Sequence, residues 1–179
     1  HPMTGANSLF SRGGLHPLYW GVSRAQLATF IEEVRAAQHA GVICNPSREE
    51  AGSRYYPQPK FDDPAVGPNM HLVNKLLVKP LTASCPPLPG MSYALMKNLR
   101  RGGLRCSLFF SHAWDECIYE FAKNALAAWP EGCEGAYLCC LSNPQNLDIS
   151  ALLGGDAKNS PFWRVLSEQP DALVMLANR

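Results

Sequence analysis

Between Gly103 and Asn178, three short apolar runs alternate with two amphipathic segments, and no other feature constrains the fold as much. The runs are Leu104 to Ser111, Ala136 to Leu141 (Ala-Tyr-Leu-Cys-Cys-Leu) and Ala172 to Leu176 (Ala-Leu-Val-Met-Leu). Continuous apolar runs of this length suit strands buried on both faces of a sheet. After the first run, Ile118, Phe121, Ala122 and Leu126 recur at helical spacing. Asp115 or Glu116 is placed to cap that helix, and Trp129-Pro130 ends it. Before the third run, Ser160-Pro161 supplies an N-cap followed by Pro at the first helical position. Phe162, Val165 and Leu166 turn that helix inward. Strand, helix, strand, helix, strand predicts an α/β fold: an open parallel sheet of three or more strands, right-handed crossovers and flanking helices.

The residues before Gly103 read differently. Pro (15 in the chain) and Gly (14) gather there in His1–Pro17, Cys44–Asn69 and Cys85–Gly90. Residues 1–102 are therefore expected to be a Pro/Gly-rich, mostly helical N-terminal extension packed on an α/β core of residues 103–179. Its first helix starts at the capping box Ser23–Gln26, carries Leu27, Phe30, Ile31 and Val34 on one face, and stops before Gly41. A second helix is expected over Asn69 to Val78, stopped by Pro80, and a third over Ser92 to Leu99 before Gly102-Gly103.

Bulk properties exclude several function classes. Lys+Arg is 16 and Asp+Glu is 15, so the basic surplus of a nucleic-acid binder is lacking. No stretch reaches about 18 apolar residues, so no membrane-spanning segment is expected. The seven cysteines are odd in number and contain no C-x-x-C pair, so a zinc knuckle is not expected. Cys139 and Cys140 read as small hydrophobes inside their run. Mostly reduced thiols point to a reducing compartment, the cytoplasm or an organelle interior after removal of a targeting peptide; a disulfide involving Cys44 or Cys85 stays open. The start at His1-Pro2-Met3 is that of a processed product or a fragment.

Ligands of open parallel sheets collect at the carboxyl ends of the strands. Three segments should converge there: Ser111-His112-Ala113-Trp114-Asp115-Glu116, Ser142-Asn143-Pro144-Gln145-Asn146, and Asn178-Arg179. The amide groups that open the helix after the first segment favour an anion. Ser111 and His112 are adjacent on a strand and point to opposite faces, which argues against a Ser–His dyad. His112 is a general base or ligand contact, or an imidazole that fixes the turn. Asp115 is the other candidate acid, although Asp115 and Glu116 fit capping better. Trp114 either stacks on a ligand or plugs the end of the core. Asn143 and Gln145 either hydrogen-bond a ligand or serve their own turn.

The string Leu108-Phe109-Phe110-Ser111-His112-Ala113-Trp114-Asp115 resembles the first box of Toll/interleukin-1-receptor-like (TIR-like) domains, where an apolar strand ends in Ser-His or Ser-Tyr before an acidic residue. Val78-Lys79-Pro80-Leu81-Thr82, Gly90 to Met96 and Phe109 through Leu152 are similar to TIR-like proteins, without an assigned activity, that abound in dinoflagellate algae. The resemblance implies one of two jobs, assembly with itself or with protein partners, or cleavage of NAD. The cleaving members place a Glu after the third strand, often in Trp-Cys-x-x-Glu. The sequence reaches Arg179 directly after the third run without that Glu, and Glu168 precedes the run. An oxocarbenium-like state would lack its main electrostatic support. The expectation is therefore a non-catalytic TIR-like interaction module, an accessory subunit of a larger assembly, acting through a protein partner or self-association. The alternative is an NAD- or nucleotide-processing hydrolase in which Ser111, His112, Trp114, Asn143 and Gln145 bind NAD or ADP-ribose. A chain extending past Arg179 into the Glu motif would restore that alternative.

Overall fold

The computed structural model describes residues 15–47, 58–85, 90–147 and 156–176. In chain order they form β1 (Val22–Ser23), α1 (Arg24–His39), α2 (Met70–Val73), α3 (Lys79–Ala83), α4 (Tyr93–Asn98), β2 (Leu108–Ser111), α5 (Ile118–Ala127), β3 (Gly135–Tyr137), α6 (Cys139–Ser142), α7 (Pro161–Ser167) and β4 (Ala172–Met175). No described helix is long and apolar enough to cross a membrane.

The protein is α/β with an open, mostly parallel sheet of order β1-β3-β2-β4. β2 is central and pairs in parallel with β3 (Phe109 beside Tyr137) and with β4 (Phe110 beside Val174). β1, from the first hundred residues, adds an antiparallel edge to β3. Alternation along β2 divides the core. Leu108 and Phe110 join the main cluster with α1 and α5, whereas Phe109 and Tyr137 join Cys106 and Val165 of α7 on the opposite face. The helices of the two crossovers thus lie on opposite faces of the sheet.

Local chemistry explains the helices that anchor this sheet. Ser23 Oγ accepts from the Gln26 amide while the Gln26 side chain accepts from the Ser23 amide, closing the capping box of α1. Leu27, Phe30, Ile31 and Val34 are buried, and each such side chain contributes about 1.5–3 kcal/mol. Gly41, at φ 72°, takes the left-handed position past the helix end. Ser92 and Ser160 cap α4 and α7 in the same manner as Ser23, accepting from the amides of Leu95 and Trp163.

Four local expectations are corrected. Pro80 does not stop the second helix, which continues to Ala83 through a π-turn over Asn74–Val78. The wider turn before Pro80 relieves the clash that a proline ring makes with an ordinary helical carbonyl. The second apolar run is only half strand. Extended structure stops after Tyr137, because the Ser142 hydroxyl accepts from the Leu138 amide and the Leu138 carbonyl accepts from Ser142 (2.6 Å), which winds Cys139–Ser142 into a helical turn. The third run is not covered on both faces. Ala172 and Val174 pack on the main cluster, but Leu173 is 54% and Met175 72% exposed at the sheet edge. Phe162 is also exposed rather than inward, although its ring meets Phe109 edge-on at 4.9 Å.

Candidate functional site

β3 and β4 flank β2 in the same direction, so the turn after β2 opens at the carboxyl end of the sheet as expected. The chain leaves β2 for a helix on one face and ultimately returns from β3 through a helix on the other. The strand order reverses at β2, with β3 on one side and β4 on the other, and the groups described next lie at the carboxyl ends of β2 and β3. Asn178 and Arg179, expected to converge on the same place, lie outside the described residues.

His112 is the centre of what assembles there. Its ring lies against Phe121 of α5, with centroids 4.9 Å apart, and Nε2 is 3.3 Å from Cys139 Sγ. Nδ1 is 3.2 Å from the Ala113 carbonyl oxygen, which can only accept. Nδ1 therefore carries the ring proton, and Nε2 presents its lone pair to the thiol. Burial pushes the His112 pKa below its ordinary value, opposed by the Ala113 hydrogen bond. Burial pushes the Cys139 thiol up to about 11, opposed by donors from the Trp114 side chain and the Cys140 main chain. At neutral pH the pair rests as thiol and neutral imidazole.

The partner of His112 is thus Cys139 and not Ser111, whose own carbonyl accepts from the Leu176 amide (2.9 Å) in the pairing with β4. Trp114 packs on the main cluster and sets its ring 5.4 Å from that of His71, so it closes the end of the core. Asp115 stays at the surface, 3.4 Å from His71 Nε2.

Neither Asp115 nor Glu116 caps α5, which corrects the reading of both as caps. The N-cap position belongs to Cys117, and the first amides of the helix donate to distant carbonyls: Ile118 to Pro68 (2.8 Å) and Tyr119 to Val66 (3.2 Å). These amides are already used, so the anion site expected at the helix start is filled by main chain. Glu116 instead folds into the protein, 7% exposed, with Oε2 lacking any hydrogen-bond partner. Burial raises its pKa, opposed by a main-chain hydrogen bond from Ala113 and reinforced by Glu120.

The Asn-Pro-Gln-Asn loop is held by its own amides. Asn143 Oδ1 accepts from the Tyr137 hydroxyl at 2.6 Å. Gln145 Nε2 donates to the carbonyls of Cys139 (2.8 Å) and Asn143 (3.1 Å), and its Oε1 accepts from Asn74. Asn146 ties the loop to Lys79 and Thr82 of α3.

Cys139 is the residue that reading the run as uniform strand passed over. Its signal was positional: in a parallel register that pairs Phe109 with Tyr137, the thiol two residues past Tyr137 lies level with the turn that carries His112. No disulfide links the seven cysteines, all of which lie among the described residues. Among the described residues no three potential metal ligands come together. An open cavity of about 450 Å³ lies elsewhere, against α1 and the start of α5. Its polar groups hold those helices together, with Arg35 4.3 Å over the Tyr119 ring and the Tyr119 hydroxyl donating to Gln38 at 2.7 Å.

Comparisons with protein-family models, with curated proteins and with solved structures returned no match to this chain.

Proposed function

We propose that the chain is a non-catalytic, TIR-like interaction module that associates with a second copy of itself along β4. The observation that carries this reading is the state of that edge. Ala172–Met175 contains no charge, proline or bulge, the devices that normally keep an edge strand from pairing. Leu173 and Met175 project from it to solvent, and Leu173 is the registered neighbour of Phe109, against which the exposed Phe162 packs. An apolar strip therefore runs beside a row of main-chain groups without a neighbouring strand among the described residues. Antiparallel pairing of two such edges satisfies those groups and covers both strips, at about 1.5–3 kcal/mol for each large side chain fully buried.

Light scattering on size-exclusion fractions tests the reading. A dimer is expected for the parent chain, and Leu173→Glu with Met175→Glu should release a folded monomer. A parent chain that stays monomeric at about 100 µM, some hundredfold above a micromolar dissociation constant, sinks it. Incubation with NAD followed by chromatography for nicotinamide addresses the nucleotide-processing alternative. Release of nicotinamide would overturn the non-catalytic part of the proposal.

A further inference from the structure

We propose that Cys139 is a redox-modification site, a thiol that a small hydroperoxide oxidises to sulfenic acid with His112 as the base. The inference is independent of the β4 edge and rests on the contact between one imidazole and one thiol. His112 Nε2 faces Sγ at 3.3 Å with its lone pair, because the Ala113 carbonyl holds the ring proton on Nδ1. The Trp114 side chain and the main chain at Cys139 and Cys140 hold the thiol pKa down against its burial. A neutral base within reach of a thiol is the arrangement that activates a cysteine nucleophile. Cys106 and Cys133, by contrast, direct their thiols at the main-chain carbonyls of Pro17 and Ser107.

The surroundings select the reagent. Cys139, His112 and Trp114 are all half-buried, and Phe121 backs the imidazole, so the approach is narrow and largely aromatic. The exposed carboxylate of Asp115, next to Trp114, disfavours anionic reagents. A small uncharged hydroperoxide fits both limits.

Cys139 Sγ attacks the terminal peroxide oxygen, so an S–O bond forms as the O–O bond breaks. Sulfur loses two electrons, and the peroxide is reduced to water or an alcohol. The thiol proton passes to His112 Nε2 and then to the departing oxygen, which returns the ring to its starting tautomer. Because burial keeps the resting thiol protonated, the base has to act within the same step.

The full chain is treated with hydrogen peroxide in the presence of dimedone, and fragment-resolved mass spectrometry reads the adduct at each cysteine. Cys139 should be trapped at least about tenfold faster than the buried Cys106, in line with base-assisted over unassisted thiols. His112→Gln should slow trapping at Cys139 about 100-fold, the lower range for a lost general base. Labelling of Cys106 in the same digest reports unfolding. Should His112→Gln unmask Cys106, Trp114→Phe decides, since it removes the indole N–H that holds the thiol pKa down and keeps an aromatic plug; it should slow trapping severalfold. Equal rates at Cys139 and Cys106 in the parent chain overturn the proposal. So does an unchanged Cys139 rate in either variant while Cys106 stays protected.

Discussion

Glu116→Gln should stabilise the protein at neutral pH and lose that advantage in acid. Glu116 is 7% exposed; one carboxylate oxygen is served by the Ala113 main chain, and Oε2 has no hydrogen-bond partner. A buried polar group left unpaired costs about 1–3 kcal/mol, and more when it is charged. The Ala113 hydrogen bond offsets part of this, and the amide of Gln leaves a smaller neutral penalty in place. The net gain expected is about 1–2 kcal/mol at pH 7, or a rise of roughly 2–8 °C in thermal midpoint for a chain of this size. The sign with pH follows from the direction of the shift. Burial raises the folded-state pKa above that of the unfolded chain, about 4.3, so between the two values the folded state binds more protons than the unfolded one. Parent stability from this group therefore falls as pH rises through that interval. At about pH 3 and below both states hold the proton, and the difference between parent and variant vanishes. Thermal melts of both proteins at about pH 3 and pH 7 measure it. A variant that is less stable at pH 7, or one whose advantage is the same at both pH values, refutes the reasoning.

Two further perturbations probe how the first hundred residues are tied to the sheet. Asn98 Nδ2 donates to the Gly21 carbonyl and to Gln26 Oε1, and its Oδ1 accepts from Gln26 Nε2 at 2.7 Å, which locks α4 to the start of α1. Asn98→Ala leaves the Gly21 carbonyl and the Gln26 amide unserved and should cost about 1–3 kcal/mol in urea melts with an unchanged slope. Gly103 sits at φ 84°, and a Cβ there would collide with the Tyr19 carbonyl oxygen. Gly103→Ala should therefore destabilise by more than about 1 kcal/mol, whereas Gly102→Ala, at φ 79° but with open space around its Cβ, should cost only the left-handed backbone strain.

What was legible in the sequence was whatever local chemistry decides. Ser23 and Gln26 sit three residues apart and close their box whatever the rest of the chain does, and the stripe from Leu27 to Val34 needs only one apolar partner. Parallel pairing of the three core strands followed from the alternation of runs and helices. What was not legible depends on residues far away in the chain. Asp115 and Glu116 look like caps, but Val66 and Pro68 reach the amides of α5 first. Apolar composition makes a run a strand, but it does not say whether a neighbour covers both faces, and β4 has a cover on only one. β1 is two residues long, too short to stand out from the cap of α1.

The site follows the same division. The sheet topology determined the end at which a site would lie: parallel strands place the turn carrying His112 at the carboxyl edge of the sheet, beside the end of β3. Which side chain meets the imidazole was decided by the length of β3. Had the strand continued through Leu141 as its composition invites, successive side chains would alternate between faces, and Cys139 would stay inside the sheet layer beside Tyr137. The two hydrogen bonds between Ser142 and Leu138 stop the strand early and bring Cys139 against His112. The thiol–imidazole pair is therefore a consequence of where a strand ends, and Ser142, buried and three residues away, is the residue that ends it. Removing its hydroxyl in Ser142→Ala takes away one of the two bonds and should loosen the 3.3 Å contact before it affects the sheet.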